Sequence, residues 1–240
     1  MIRLLVPGAQ EGEVTVQGPR LHYLRQVLRV RAGDELEVFD GAGLAFDAKV
    51  VSLGELGGVL KLGAAREAPR PRSITIVQGL PKAEKLELVL QKGTELGASA
   101  FAPAACARSI VKLEGKEEAK LARWQRIVEE AARQCGRASV PQVFSPKPLA
   151  TAVSSLPGEP AVLVLDEEER SLPLSTAVSS LGARPLALVI GPEGGLTREE
   201  VNALVAKGAI AITLGRLVLR TETAALAALA VLRHLDGELG

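Results

Sequence analysis

The residues from Ile190 to Thr197 combine features that suit a ligand loop. Gly191, Gly194 and Gly195 fall within five residues, around Pro192 and Glu193. Glycines permit close backbone approach to a bound molecule and dihedrals that a side chain forbids. The apolar run Leu186 to Ile190 precedes them and reads as a buried strand. Thr197-Arg198-Glu199-Glu200 follows, with Thr197 as N-cap and Glu200 three residues on, the form of a capping box. The order is therefore strand, glycine-rich turn, helix, and the helix start adds unpaired N–H groups. A tight turn without a ligand has the same local pattern, and Glu193 also suits a helix start, where the macrodipole favours a carboxylate.

A second stretch repeats the pattern. Ile210 to Leu214 is another apolar strand, and Gly215 ends it. Arg216-Leu217-Val218-Leu219-Arg220-Thr221-Glu222-Thr223-Ala224 then leads into an alanine- and leucine-rich helix reaching about Leu235. Ligands of open α/β sheets sit at the carboxyl ends of strands, so the two loops are expected to face one pocket.

These stretches, GPEGGLTREE and LGRLVLRTETAALAAL, resemble the ribosomal RNA small subunit methyltransferase E family, RsmE, a branch of the SPOUT methyltransferases. Leu90 to Gly97, Pro103 to Ser109 and Glu130 to Arg137 resemble the same family. So do His22 to Arg29, Gly33-Asp34 and Phe39-Asp40-Gly41. The resemblance implies an α/β fold: a SPOUT trefoil-knot methyltransferase domain preceded by a small PUA-like β-barrel that binds RNA. The knot comes from the resemblance alone, since threaded chains are rare on general rules. The implied cofactor is S-adenosyl-L-methionine. The implied reaction is methylation of uridine N3 in 16S, small-subunit ribosomal RNA, either free or within the assembled 30S subunit. A homodimer is also implied. Two other readings remain: a non-catalytic RNA-binding protein of ribosome assembly, and a SPOUT methyltransferase of another rRNA or tRNA nucleotide.

S-adenosylmethionine needs an apolar slot for adenine and backbone hydrogen bonds along its edge. Leu165, Ile190, Leu214 and Leu219 are candidates for the slot. Gly191, Pro192, Glu193, Gly194, Gly195 and Gly215, with Arg220, Thr223 and Ala224, complete the candidate cofactor set. Methyl transfer needs alignment more than acid–base power, because the sulfonium is already an activated leaving group. A uracil N3 acceptor must also lose its proton. Arg220 is the candidate for stabilising the resulting anion or positioning a phosphate. Glu222 is the candidate for orienting Arg220 or accepting the proton; a structural ion pair at a helix start is the competing reading.

Composition narrows the classes. The chain has 240 residues, 47% hydrophobic, with a formal net charge of +1. Bulk charge therefore does not announce nucleic acid, although local patches can hide in a balanced total. Arg20, Arg25, Arg29 and Arg31 form one such cluster and suit forked contacts to phosphate; a solvated helical face is the alternative. Arg3, Lys82 and Arg108 join them as candidate RNA contacts. Aromatic residues make up only 2% of the chain, which argues against base-stacking platforms and for recognition by backbone and shape. Cys106 and Cys135 form no paired-cysteine motif and read as buried thiols. With two histidines, His22 and His234, no metal site is expected. No apolar run approaches the ~18 residues of a membrane span, and the N-terminus has no signal-peptide core, so a cytoplasmic protein is expected. Neither a Walker phosphate loop nor a dinucleotide fingerprint is present.

Residues 1–68 read as β-rich, and 69–240 as the methyltransferase domain. In the first part Arg3–Val6, Glu13–Val16, Glu35–Phe39, Phe46–Leu53 and Val59–Leu62 are strand candidates, with a short helix over Pro19–Val30. Glu67 to Ser73 is a stiff proline- and arginine-rich bridge. Strands and helices then alternate, predicting a mostly parallel sheet: strand Ile74–Gln78, helix Ala83–Leu96, a strand near Phe101, helix Lys116–Cys135 and strand Ala161–Leu165. Asp166 to Glu169 reads as a solvated loop. The last helix is apolar on nearly every face and is expected to be buried all round, which favours a dimer that covers it.

Overall fold

The computed structural model describes residues 2–109 and 117–240. It divides into two compact units: Met1–Arg70 with Ala132–Val140, and Pro71–Ala131 with Pro141–Gly240. Lys116, expected to open the long helix, lies outside the described residues.

The first unit is a five-stranded sheet. Its strands are β1 (Arg3–Leu5), β2 (Gly12–Val16), β3 (Glu35–Phe39), β4 (Leu44–Leu53) and β5 (Gly58–Glu67), in the order β1-β3-β4-β5-β2. β1 runs parallel to β3 and the remaining pairs are antiparallel. The hairpin turn at Asp40 forms because its carboxylate accepts the N–H groups of Ala42, Gly43 and Leu44, an Asx-type lock. Leu4, Val38, Phe46, Leu60 and Leu24 share the core. Leu24 comes from the expected short helix, found as α1 (Gly18–His22) continued by a π-helical turn over Tyr23–Val27.

The second unit carries strands β6 (Ile74–Gly79), β7 (Ala100–Ala105), β8 (Gln142–Val143), β9 (Lys147–Pro148), β10 (Ala161–Leu165), β11 (Leu186–Ile190) and β12 (Ile210–Ile212). Its helices are α2 (Ala83–Glu95), α3 (Glu117–Cys135, whose last turn from Ala132 belongs to the first unit), α4 (Leu149–Ser154), α5 (Leu174–Ser179), α6 (Arg198–Val205) and α7 (Thr221–Leu235). The sheet order is β12-β10-β11-β6-β7-β8, with β9 beside β7, and every pairing is parallel. β6 and β11 are buried along their whole length, as central strands covered on both faces must be. Ala187 and Val189 share a core with Leu149 of α4 and Val201 and Leu204 of α6. Strand alternation then turns Leu188 and Ile190 to the opposite face, where α7 packs over β11 and β6 and against α2 and α5.

Several expectations change. β12 stops at Ile212, because Thr213 leaves the ladder: its N–H donates to Leu172 O, its O accepts from Leu174 N, and its hydroxyl hydrogen-bonds Gly215. α7 is not buried all round. Ala225, Ala228, Leu229 and Leu232 are buried, while Val231 is 40% and Leu235 47% exposed. Cys135, the last residue of α3, is exposed rather than buried. Asp166 is buried instead of solvated, because Arg198 forks onto both its oxygens at 2.8 and 2.6 Å. α7 is anchored by the buried Arg233, which donates to Arg72 O at 2.9 Å and Gly97 O at 2.6 Å. Burial lowers the pKa of that guanidinium.

Candidate active site

β6, β10, β11 and β12 are neighbours and parallel, so their carboxyl ends open on one side of the sheet. The loops after β10, β11 and β12 enclose a cavity of about 280 Å³ there. Its apolar wall comes from Leu165, Ile190, Ile212, Leu214 and Leu219, and its polar wall includes Lys85, Glu193 and Thr221.

The glycine loop folds back on itself. A Cβ on Gly191 would lie 2.7 Å from the carbonyl carbon of Gly195 and 2.8 Å from Leu196 N, so only glycine fits. One on Gly79, at the end of β6, would meet Pro192 at 2.7 Å. Thr221 fixes the loop from the far side. Its hydroxyl donates to Gly191 O at 2.5 Å and accepts from Gln78 Nε2 at 2.8 Å. The capping box of α6 forms as expected, Thr197 Oγ1 accepting from Glu200 N at 3.2 Å and Glu200 Oε2 from Thr197 N at 2.9 Å. Glu200 Oε1 also accepts from Ala107 N at 2.7 Å, tying the segment after β7 to the same helix start.

Lys85, which the sequence pattern did not single out, links two of the loops. Its ammonium lies 3.4 Å from Glu193 Oε1 and 3.5 Å from Glu222 Oε2. Glu193 Oε1 also accepts the Lys82 backbone N–H at 3.1 Å. Burial raises the Glu193 pKa, but the Lys82 hydrogen bond and the Lys85 charge outweigh it, and the net shift is downward.

Eleven of the thirteen residues expected to bind a cofactor line the cavity: Leu165, Ile190, Gly191, Pro192, Glu193, Gly195, Leu214, Gly215, Leu219, Arg220 and Ala224. Gly194 and Thr223 do not. A Cβ on Gly194 would point at Arg108 Cβ, 3.1 Å away. Thr223 is exposed because α7 begins at Thr221, two residues earlier and about 200° round the helix; Thr221 is the threonine that faces inward. Arg220 is exposed at the N-cap of α7, and no ion pair joins it to Glu222 among the described residues. Glu222 pairs with Lys85 instead and does not line the cavity.

The candidate RNA contacts divide. Arg3 is withdrawn from any partner: its Nε pairs with Glu37 at 2.6 Å, and its Nη1 donates to the carbonyls of Ala132, Arg133 and Arg137 at 3.1–3.2 Å. It caps the end of α3. Arg108 donates to Gly194 O at 2.8 Å and braces the glycine loop. Arg20 and Arg25 each donate to a backbone carbonyl, of Leu5 and Gly54, yet both side chains are exposed. Arg29, Arg31 and Lys82 are exposed too, Arg29 with a positive φ of 55°.

A sequence profile for an RNA methyltransferase domain matches residues 68–233, and one for an RNA methyltransferase PUA domain matches 16–62. The ribosomal RNA small subunit methyltransferase E of Synechocystis is 35% identical over 97% of this chain and 77% of its own length. That of Bacillus subtilis is 33% identical over 92% of this chain and 89% of its own. The chain belongs to the ribosomal RNA small subunit methyltransferase E family. Among solved structures, the Neisseria gonorrhoeae member of this family, bound to S-adenosyl methionine, superposes with a TM-score of 0.88 at 32% identity over 98% of both chains. The expected architecture, an α/β RNA methyltransferase domain with a PUA-type domain before it, is thereby met.

Proposed function

We propose that this chain transfers a methyl group from S-adenosylmethionine to uridine N3 of small-subunit ribosomal RNA. The observation that carries the reading is the cavity at the carboxyl ends of β10, β11 and β12, with an apolar wall beside a charged one. Its composition fits a ligand with a purine at one end and an amino acid at the other, and its volume is near the lower bound of ligand pockets, roughly 300 Å³. Leu165, Ile190, Ile212, Leu214 and Leu219 would hold adenine. Main-chain groups of the two loops would meet its edge. S-adenosylmethionine supplies an activated methyl group on a sulfonium.

The work left to the protein is positioning and charge stabilisation. Uracil N3 must lose its proton before or as it takes the methyl group. Arg220, at the rim with its guanidinium exposed, is placed to stabilise the anion spread over the ring oxygens. Glu222 is better suited to holding Lys85 than to taking the proton, because Lys85 stands between it and the cavity. Arg20, Arg25, Arg29 and Arg31 would contact phosphates.

The chain is further proposed to act as a homodimer, in support of which Ala227, Ala230, Val231 and Leu235 leave an apolar stripe on α7. Sedimentation equilibrium at working concentration tests this; a monomer would remove it. The methyl-transfer reading is tested with purified protein and S-adenosylmethionine on free small-subunit rRNA and on 30S subunits in parallel. Nucleoside mass spectrometry should show 3-methyluridine with the wild type and about a hundredfold or greater loss of rate with Arg220→Ala, the usual scale for removing an anion-stabilising donor. A methylated nucleoside of another kind would overturn the N3 assignment.

A further inference from the structure

We propose that Lys85 anchors the carboxylate of the cofactor's amino-acid tail, with Glu193 beside it receiving the ammonium. The inference rests on the cofactor reading above and extends it to a residue that no motif marks. Lys85 is the lysine of the cavity wall, and its side chain is only 29% exposed. The arginines of the wall, Arg170 and Arg220, are exposed at the rim. A half-buried cation suits a small enclosed anion, whereas exposed guanidiniums suit an RNA backbone.

Lys85 is held by two carboxylates, Glu193 beside it on the cavity wall and Glu222 behind. It lies 3.4 Å from Glu193 and 3.5 Å from Glu222. Both separations exceed the roughly 2.7–3.2 Å of an ordinary N–H···O bond, so the pairs fix its charge without taking up its donors at close range. Glu222 Oε2 is buried and accepts no hydrogen bond, which keeps that oxygen dependent on the nearby ammonium. Glu193 lines the cavity beside Lys85, and its Oε1 is already oriented by Lys82 N–H. A cation and an anion side by side match the two charges of a zwitterionic α-amino acid. Of the other carboxylates on the wall, Asp166 is taken by Arg198 and Glu167 is exposed, which leaves the half-buried side chain of Glu193 as the acid beside Lys85.

Removing the lysine should therefore discriminate between ligands with and without the tail. The test is calorimetric binding of S-adenosylhomocysteine, which keeps the amino acid, and of 5′-methylthioadenosine, which lacks it. Lys85→Met should weaken S-adenosylhomocysteine about tenfold or more, the scale of one charge-assisted contact, and leave 5′-methylthioadenosine within about twofold. Lys85→Arg, which keeps the charge, should recover most of the loss. Retained 5′-methylthioadenosine binding also reports a folded site. Equal weakening of both ligands, or unchanged binding of both, would overturn the role of Lys85 while leaving the cofactor site standing. A wild-type protein that binds neither ligand would overturn the cofactor reading and this inference together.

Discussion

The hydroxyl of Thr221 donates to the carbonyl oxygen of Gly191 at 2.5 Å, and this contact joins the start of α7 to the glycine loop. Gln78, at the end of β6, donates to the same hydroxyl. Two strand ends, of β6 and β11, and the start of α7 are thus registered through one buried side chain. Thr221→Val keeps the volume and removes the hydroxyl. It should cost about 1–3 kcal/mol, because Gly191 O loses a donor and Gln78 Nε2 an acceptor in a buried site. Thr221→Ser should cost less. Urea unfolding checks both, and equal stability of the wild type and the valine variant would contradict the link.

The two glycines of the loop should behave differently. Gly191→Ala forces a Cβ against backbone atoms of Gly195 and Leu196, whereas Gly194→Ala meets only the Arg108 side chain. Calorimetry with S-adenosylhomocysteine should show binding lost in the first and largely kept in the second. The reverse order would show that the cavity is lined differently.

Asp166 and Arg198 predict a pH dependence. The hydrogen bonds from Arg198 hold the Asp166 carboxyl below its ordinary value. A carboxylate with a lowered folded pKa stabilises the fold above its unfolded pKa of about 3.9, and that contribution is lost as pH falls through the folded value. Asp166→Asn should therefore cost about 1–2 kcal/mol near pH 7, discounted because Arg198 is 39% exposed. The gap in melting temperature between wild type and variant should close as pH falls below about 4. A gap that persisted at low pH would show that the ion pair is not its source.

The cysteines should differ sharply in reactivity. Burial pushes the Cys106 thiol up to about 12, aided by the nearby Glu200 charge, whereas Cys135 is exposed. Titration of the native protein with a thiol reagent at pH 8 should give one fast equivalent, removed by Cys135→Ser. A fast reaction surviving that substitution would place Cys106 at the surface.

What could be read from the sequence was local. The glycine loop, the Thr197–Glu200 capping box and the strand over Leu186–Ile190 are written in adjacent residues, and each formed. Lys85 was not legible, because it lies among ordinary helix charges and meets Glu193 only after more than a hundred residues of chain have folded. Thr223 is the threonine expected at the site and Thr221 the one that faces it, because the facing of a helix residue depends on where the helix begins, and the N-cap is Arg220. Arg3 is expected among the RNA contacts, but its acceptors are carbonyls about 130 residues away. The short elements β8, β9, α4 and α5 passed unnoticed because two to six residues give too little periodicity to register.

The proposed reaction is methylation of one uridine at N3 in small-subunit rRNA. It is met most directly in a bacterial strain lacking its own member of this family and complemented with this chain. Mass mapping of small-subunit rRNA from that strain should show one 3-methyluridine restored by the wild type and absent with Arg220→Ala expressed at the same level. Restoration by the Arg220→Ala chain, or no methylated uridine with the wild type, would contradict the account.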